Sequence, residues 1–338
     1  MFIFYRNLIM KKKLSVLILA MLFCKSVYSQ SVTIQGKPVA EIFTEFHYYI
    51  NDTSKTNGFG INRAHLGYHY IPDGNFSATI MINVGTPEDL AVGSVSRRYG
   101  YFREASVTYK KDKLTLNFGM VNTRYADFQQ GFWGKRYLGP EYQAAYPYGS
   151  VADLGVVMDY RFSDLIKADI SILNGKGYTN VQYDNSIKTA AGLLISTPNK
   201  IFIRLYGDIM KPHGIIQTTL IAFAGLKNDL FSLGAEVSYK TNLDYFKGDN
   251  VWGLSSTGAV FLSNKTEIFA RYDYAASVVV ADEVLQWDYL KDGTCFIGGL
   301  QHTINDNLRF ALNYRRTNPY NPGQKTTDAI FLNAHFKF

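Results

Sequence analysis

The chain alternates to its final residue. Ile330, Leu332, Ala334, Phe336 and Phe338 fall on one face of a strand, and Asn333, His335 and Lys337 on the other. Strand side chains point to opposite faces with a period of two, so this stretch has one face for an apolar medium and one for water. A single amphipathic strand suits a soluble sandwich equally well. The constraint comes from repetition. The same pattern recurs at Phe76, Ala78, Ile80, Ile82 and Val84, at Leu114, Leu116, Phe118 and Met120, at Leu154, Val156, Met158, Tyr160 and Phe162, and at Ile166, Ala168, Ile170 and Ile172. It continues at Ile201, Ile203 and Leu205, at Phe231, Leu233, Ala235, Val237 and Tyr239, at Ile268, Ala270, Tyr272 and Tyr274, and at Leu308, Phe310, Leu312 and Tyr314. The opposite faces are mainly polar or small, as in Lys167, Asp169 and Ser171. About sixteen strands are predicted. Segments near 215–226, 256–263 and 293–304 alternate poorly, so fourteen is the alternative.

The connections separate a membrane barrel from a soluble one. Every second link is a tight turn: Pro72-Asp73-Gly74, Lys111-Asp112, Ser163-Asp164, Thr197-Pro198-Asn199, Asn228-Asp229, Ser263-Asn264-Lys265 and Asn305-Asp306-Asn307. The links between them run near 51–57, 86–97, 122–149, 175–186, 211–214, 241–255, 278–289 and 317–326, and only the fifth is short. Short periplasmic turns alternating with long external loops are the pattern of an all-β transmembrane antiparallel barrel. A propeller or sandwich has no reason to segregate loop lengths in this way.

The N-terminus reads as an export signal. Lys11-Lys12-Lys13 precede the apolar run Leu14 to Phe23, and Val27-Tyr28-Ser29 offers a cleavage site, so residues 1–29 are expected to be removed and 30–338 to form one barrel. Met10 is an alternative start. Cys24 follows the large Phe23, which argues against a lipidation site. The first 29 residues hold five cations and no acid, so the formal charge of +7 falls to +2 in the mature chain, and the basic pI says little about nucleic acid. Only Cys295 survives processing, which excludes an internal disulfide. The mature chain has no apolar run of the roughly 18 residues that a spanning helix requires. The full sequence's 25 Tyr and 23 Phe suit aromatic girdles at two membrane interfaces.

An open sheet edge cannot face lipid, so the first strand, near Val39 to Ile50, is expected to pair with the last. Sixteen tilted strands enclose water, which makes conduction the default function. The third long loop, Asn122 to Pro140, is rich in Phe, Trp, Tyr and basic residues. Loops longer than about 12–15 residues are usually functional or disordered, and this composition opposes disorder. The loop is expected to fold inward and narrow the pore, with Arg124, Trp133, Lys135 and Arg136 at the constriction.

The run Phe102-Arg103-Glu104-Ala105-Ser106-Val107-Thr108-Tyr109-Lys110, then Leu114 to Gly119, the long loop, and later Ile172-Leu173-Asn174-Gly175-Lys176-Gly177, resembles the phosphate-selective porin O and P family and its Bacteroidetes relatives. The resemblance implies a sixteen-stranded barrel, often trimeric, with an inward third loop and anions selected by an arginine ladder and a lysine ring. The inward candidates here are scattered: Arg63, Arg204, Arg271, Arg309 and Arg315. No lysine ring can be read. Arginine suits oxyanions because its planar fork donates in pairs and stays charged. The competing role is bracing, because Glu41, Glu45, Glu104, Asp153, Asp159, Asp169, Glu236, Glu267 and Asp273 fall on the same polar faces. Phosphate selectivity is therefore not carried over.

His65 and His69 share a strand face, and His47 on the neighbouring strand completes a candidate lumen cluster; hydrated lumen histidines are the plainer reading. No local signature joins a nucleophile to His47, His65, His69, His213, His302 or His335. The sequence thus points to an outer-membrane porin without cofactor, metal or nucleic-acid partner, passing small hydrophilic solutes by diffusion with a mild anion preference. Its expected partners are outer-membrane lipid, small polar or anionic solutes, the barrel-assembly machinery reading Phe336 and Phe338, and two further copies in a trimer. The alternatives are a barrel hydrolase and a plugged-barrel receptor or adhesin.

Overall fold

Backbone N–H and C=O groups in hydrocarbon have no water to bond, so a spanning sheet must close on itself. The computed structural model describes residues 36–52, 54–72, 74–85, 99–146, 148–278, 292–321 and 323–338. Among them, sixteen antiparallel strands close into one barrel, each bonded to its neighbours in sequence. The first eight are β1 (Gly36–Tyr49), β2 (Gly58–Tyr70), β3 (Phe76–Gly85), β4 (Tyr99–Lys111), β5 (Leu114–Asn122), β6 (Ala152–Arg161), β7 (Ile166–Leu173) and β8 (Lys188–Ser196). The rest are β9 (Ile201–Met210), β10 (Gln217–Lys227), β11 (Phe231–Thr241), β12 (Asn250–Phe261), β13 (Thr266–Val278), β14 (Gly293–Asn305), β15 (Leu308–Pro319) and β16 (Thr327–Lys337). The seam joins β1 to β16, from Glu41 opposite Lys337 to Tyr49 opposite Ala329. Reciprocal bonds of 3.1 and 3.0 Å between Ala40 and Phe338 carry the pairing to the last residue.

The faces follow the alternation. Ile170, Leu233, Leu312 and Leu332 are exposed outside, whereas Asp169, Ser171, Asn313 and Asn333 are buried inside. A soluble domain has the opposite distribution. Tight turns use the expected chemistry: Asn228 Oδ1 accepts from the Leu230 and Phe231 amides at 2.8 Å each, and Asn305 Oδ1 from Asn307 and Leu308 at 3.0 and 2.9 Å. Asp112 and Lys200 take the left-handed conformation that such turns require.

Two expectations need correction. The link expected over 241–255 is only 242–249, because β12 starts at Asn250. The poorly alternating segments are strands after all, β10, β12 and β14. Their pattern is blurred because their inward positions are apolar too: Ile221, Phe223, Val251, Ala259 and Ile297 are buried in clusters that also hold residues of the inward loop or pack against it. The expected signal segment, and most of the links after β3 and β13, lie outside the described residues.

A cation on the outer face meets lipid, so Leu312→Arg is expected to destabilise the barrel by about 2–4 kcal/mol. Denaturant unfolding of the protein in lipid vesicles measures the cost.

Candidate functional site: the lumen and its inward loop

The loop between β5 and β6 crosses the lumen. Its ends are tied together where Thr123 donates its hydroxyl to the Ser150 carbonyl at 2.6 Å and its amide to Val151 at 3.2 Å. A short helix α1 (Asp127–Trp133) ends at Gly134, whose φ of 66° is left-handed. A single turn, α2 (Tyr142–Ala145), follows. Phe128 and Phe132 pack on Phe202 and Phe223 with centroids 5.0–6.0 Å apart. Gly225 and Gly234 form the floor: a side chain at either would come within 2.8 Å of the Phe132 ring. Further along, Tyr137 donates to Gln301 at 2.7 Å, Arg271 donates to the Pro140 carbonyl at 2.6 Å, and Tyr142 donates to the Tyr274 carbonyl at 2.9 Å. Gln143 reaches Glu236. The loop is thus pinned to β9 through β14, and Asn333 on β16 donates to the Tyr137 carbonyl at 3.5 Å.

Three of the four constriction candidates serve as anchors. Arg124 forks onto Asp159 at 3.0 and 2.9 Å and reaches Asp127 at 2.7 Å. Despite the cost of burial, Asp159 and Asp127 hold its guanidinium pKa above the usual range. Lys135 pairs with Glu267 at 2.8 Å and lies 5.0 Å from the Trp133 ring centroid; burial lowers its pKa although Glu267 opposes this. Trp133 is buried edge-on against Phe269. Arg136 alone of the four lines the main cavity, with Glu141 3.4 Å away.

The wall arginines divide into two kinds. Arg204 holds Asp169 in a fork of 2.5 and 3.1 Å and donates to the Arg124 carbonyl at 2.8 Å. A side chain at Gly192 would collide with that guanidinium. Arg271 holds Asp273 at 2.8 and 2.6 Å. Both are braces that also carry the loop. Arg309 donates to His335 Nδ1 at 2.8 Å. Arg63 and Arg315 have no carboxylate within ion-pair distance among the described residues. Arg315 bonds Asn313 and Asn333 at 2.8 and 3.1 Å and lies over the Phe331 ring. Arg63 faces Arg103, Tyr101 and Tyr178, with Glu141 nearby. Arg103, which sequence reasoning placed only within a motif, is buried over the Tyr178 ring, its Nε and Nη1 without hydrogen-bond partners.

These groups surround open space between the loop and β1–β4. A cavity of about 550 Å³ is lined by Arg63, Arg136, Arg315 and Lys176 against one carboxylate, Glu45. A second, of about 410 Å³, adjoins it along Gly139 and Pro140. At the short-turn end of the barrel, basic residues stand at inward register around the rim: Lys37 opposite His69, Lys110 opposite Thr115, Arg161 opposite Lys167, Lys227 opposite Ser232, Arg309 opposite His335, and Lys337 opposite Glu41. Each is the last or nearly the last inward position of its strand. A sequence reading could find this ring only with strand ends known to one residue. The candidate histidine cluster does not form. His65 lies 3.5 Å from Glu41, His69 bonds Thr79 at 2.8 Å, and His47 pairs with Glu45 at 3.3 Å.

No protein-family model matches the chain, and no curated protein matches it by sequence. Solved structures do. OmpF of Salmonella typhi, in complex with daunomycin, superposes with a TM-score of 0.66 at 11% identity, covering 90% of this chain and 97% of that one. The chain has the fold of an outer-membrane barrel. OmpT, an outer membrane protein of Vibrio cholerae, matches in its loop L8 deletion form with a TM-score of 0.62 at 13% identity, covering 90% and 99%. Its trimer form matches with a TM-score of 0.60 at 12% identity, covering the same shares.

Removing one partner of a buried pair strands the other charge. Arg204→Met is therefore expected to destabilise the barrel by about 3–5 kcal/mol, by leaving Asp169 unpaired and the loop without an anchor. Arg63→Met, which strands no carboxylate, is expected to unfold at nearly the wild-type denaturant concentration in the same assay.

Proposed function

We propose that this chain is a passive porin of the bacterial outer membrane that passes small hydrophilic solutes and favours anions. The observation that carries the reading is the unequal lining of its lumen. Where the loop is anchored, its own Arg124 and the wall's Arg204 and Arg271 are each neutralised by an aspartate. Where the cavity stays open, the lining Arg63 and Arg315 have no carboxylate within ion-pair distance among the described residues, and Arg103 lies over the Tyr178 ring that lines it. A constriction lined by uncompensated like charges concentrates counterions, and guanidinium groups remain charged in any environment. The basic set at the periplasmic mouth extends the bias to the exit.

This reading stops at anions in general. Guanidinium forks accept carboxylate, phosphate and sulfate alike, so the phosphate selectivity of the family the sequence resembles is a narrower claim than the lumen supports. Trimeric assembly is part of the proposal, by likeness to the trimer form of OmpT. Against the hydrolase alternative, the two histidine–hydroxyl pairs among the described residues, His69 with Thr79 and His302 with Thr266, hold no carboxylate on the other ring nitrogen. A Ser–His–acid relay needs all three.

The test is conductance of the purified protein in a planar bilayer under a KCl gradient. Discrete ohmic steps with a reversal potential on the chloride side are expected. Arg63→Gln combined with Arg103→Gln is expected to move that potential toward zero or to the potassium side. Folded protein that does not conduct overturns the proposal.

A further inference from the structure

Beneath the loop, at the barrel seam, four side chains form a chain of contacts that conduction does not require. Arg309 Nε donates to His335 Nδ1 at 2.8 Å, His335 Nε2 lies 2.7 Å from Glu41 Oε1, and Glu41 Oε2 lies 3.5 Å from His65 Nδ1. A guanidinium can only donate, so Nδ1 must be the acceptor. His335 is therefore neutral here, with its single proton on Nε2, the nitrogen 2.7 Å from Glu41 Oε1. The ring cannot turn to escape this assignment. Tyr137 stacks on it with centroids 5.5 Å apart at 25°, and Phe43 meets it edge-on at 4.9 Å. Tyr137 belongs to the inward loop, and the same Arg309 lies 4.9 Å above its ring.

We propose that His335 is a proton switch for the inward loop. A second proton, taken from lumen water, goes to Nδ1, and the imidazolium can no longer accept from Arg309. Two cations then face each other, and Arg309 leaves Tyr137 for the periplasmic mouth. Glu41 holds the new imidazolium in place. The other charges bearing on the cluster are Lys135 and Glu267 beside Arg309 and Tyr137, Lys337 opposite Glu41 on β16, and Arg63 and Arg103 near His65. His335 lies closer to the Glu41 carboxylate, at 2.7 Å, than His65 does, at 3.5 Å. Acidification thus adds one charge to the pore and frees a second from its ring.

The inference rests on the porin reading, and conduction at pH 7.5 tests that reading separately. Between pH 7.5 and 5 the reversal potential of the wild type is expected to move reversibly toward chloride. His335→Asn, whose amide oxygen can replace Nδ1 as acceptor, is expected to keep the neutral value throughout. A wild-type potential that ignores pH, or a His335→Asn variant that responds like wild type, overturns the proposal. A second measurement needs no conductance. Arg309 favours neutral His335, so in Arg309→Gln the His335 midpoint, followed by NMR of labelled histidine in micelles, is expected to rise. An unchanged midpoint overturns the proposal equally.

Discussion

An unpaired backbone amide in hydrocarbon costs several kcal/mol, and a barrel with one open seam would expose a whole row of them. The pairing of β1 with β16 is what every other feature of this molecule depends on. It extends to reciprocal bonds between Ala40 and Phe338. Closure also fixes the side-chain inventory: once the strands form a ring, every second residue faces lipid and the others share one water-filled interior.

That interior would be too wide to discriminate among small solutes, and the inward loop narrows it. The loop does so by building a small protein core inside the lumen. Aromatic rings from the loop meet rings and glycines on β9 to β13, and the wall arginines of the arginine–aspartate forks donate to its carbonyls. Buried ion pairs contribute little net stability against an apolar alternative, but breaking one is costly, so these forks hold the loop in one place. The loop leans to one side, and the space left over is bounded in part by Arg63 and Arg315, which hold no carboxylate within ion-pair distance among the described residues. Braced and unbraced arginines thus occupy different parts of the same lumen.

Much of the barrel was legible because its physics is local. Alternation, turn residues and the separation of short from long links each depend on a few neighbouring residues, and they gave the fold class, the strand order and the inward loop. Legibility failed where two environments overlap. At Ile221, Val251 and Ile297 both strand faces are apolar, one for lipid and one for the loop, and a period of two disappears from the sequence. It failed again for the arginines. Arg63 and Arg204 look alike in sequence, each on a polar face with acids elsewhere in the chain, and only the register of neighbouring strands puts Asp169 within reach of one and Arg103 beside the other.

The sequence by itself determined that this chain forms a closed amphipathic sheet with segregated loops, because strand periodicity and turn chemistry are properties of adjacent residues. Only the tertiary structure decided which cations are neutralised, which lysines share the rim at the short-turn end, and that His335 accepts from Arg309 while lying under Tyr137. Those facts depend on distances between residues far apart in the chain, and at a few ångströms a carboxylate either reaches its arginine or leaves it without an ion pair.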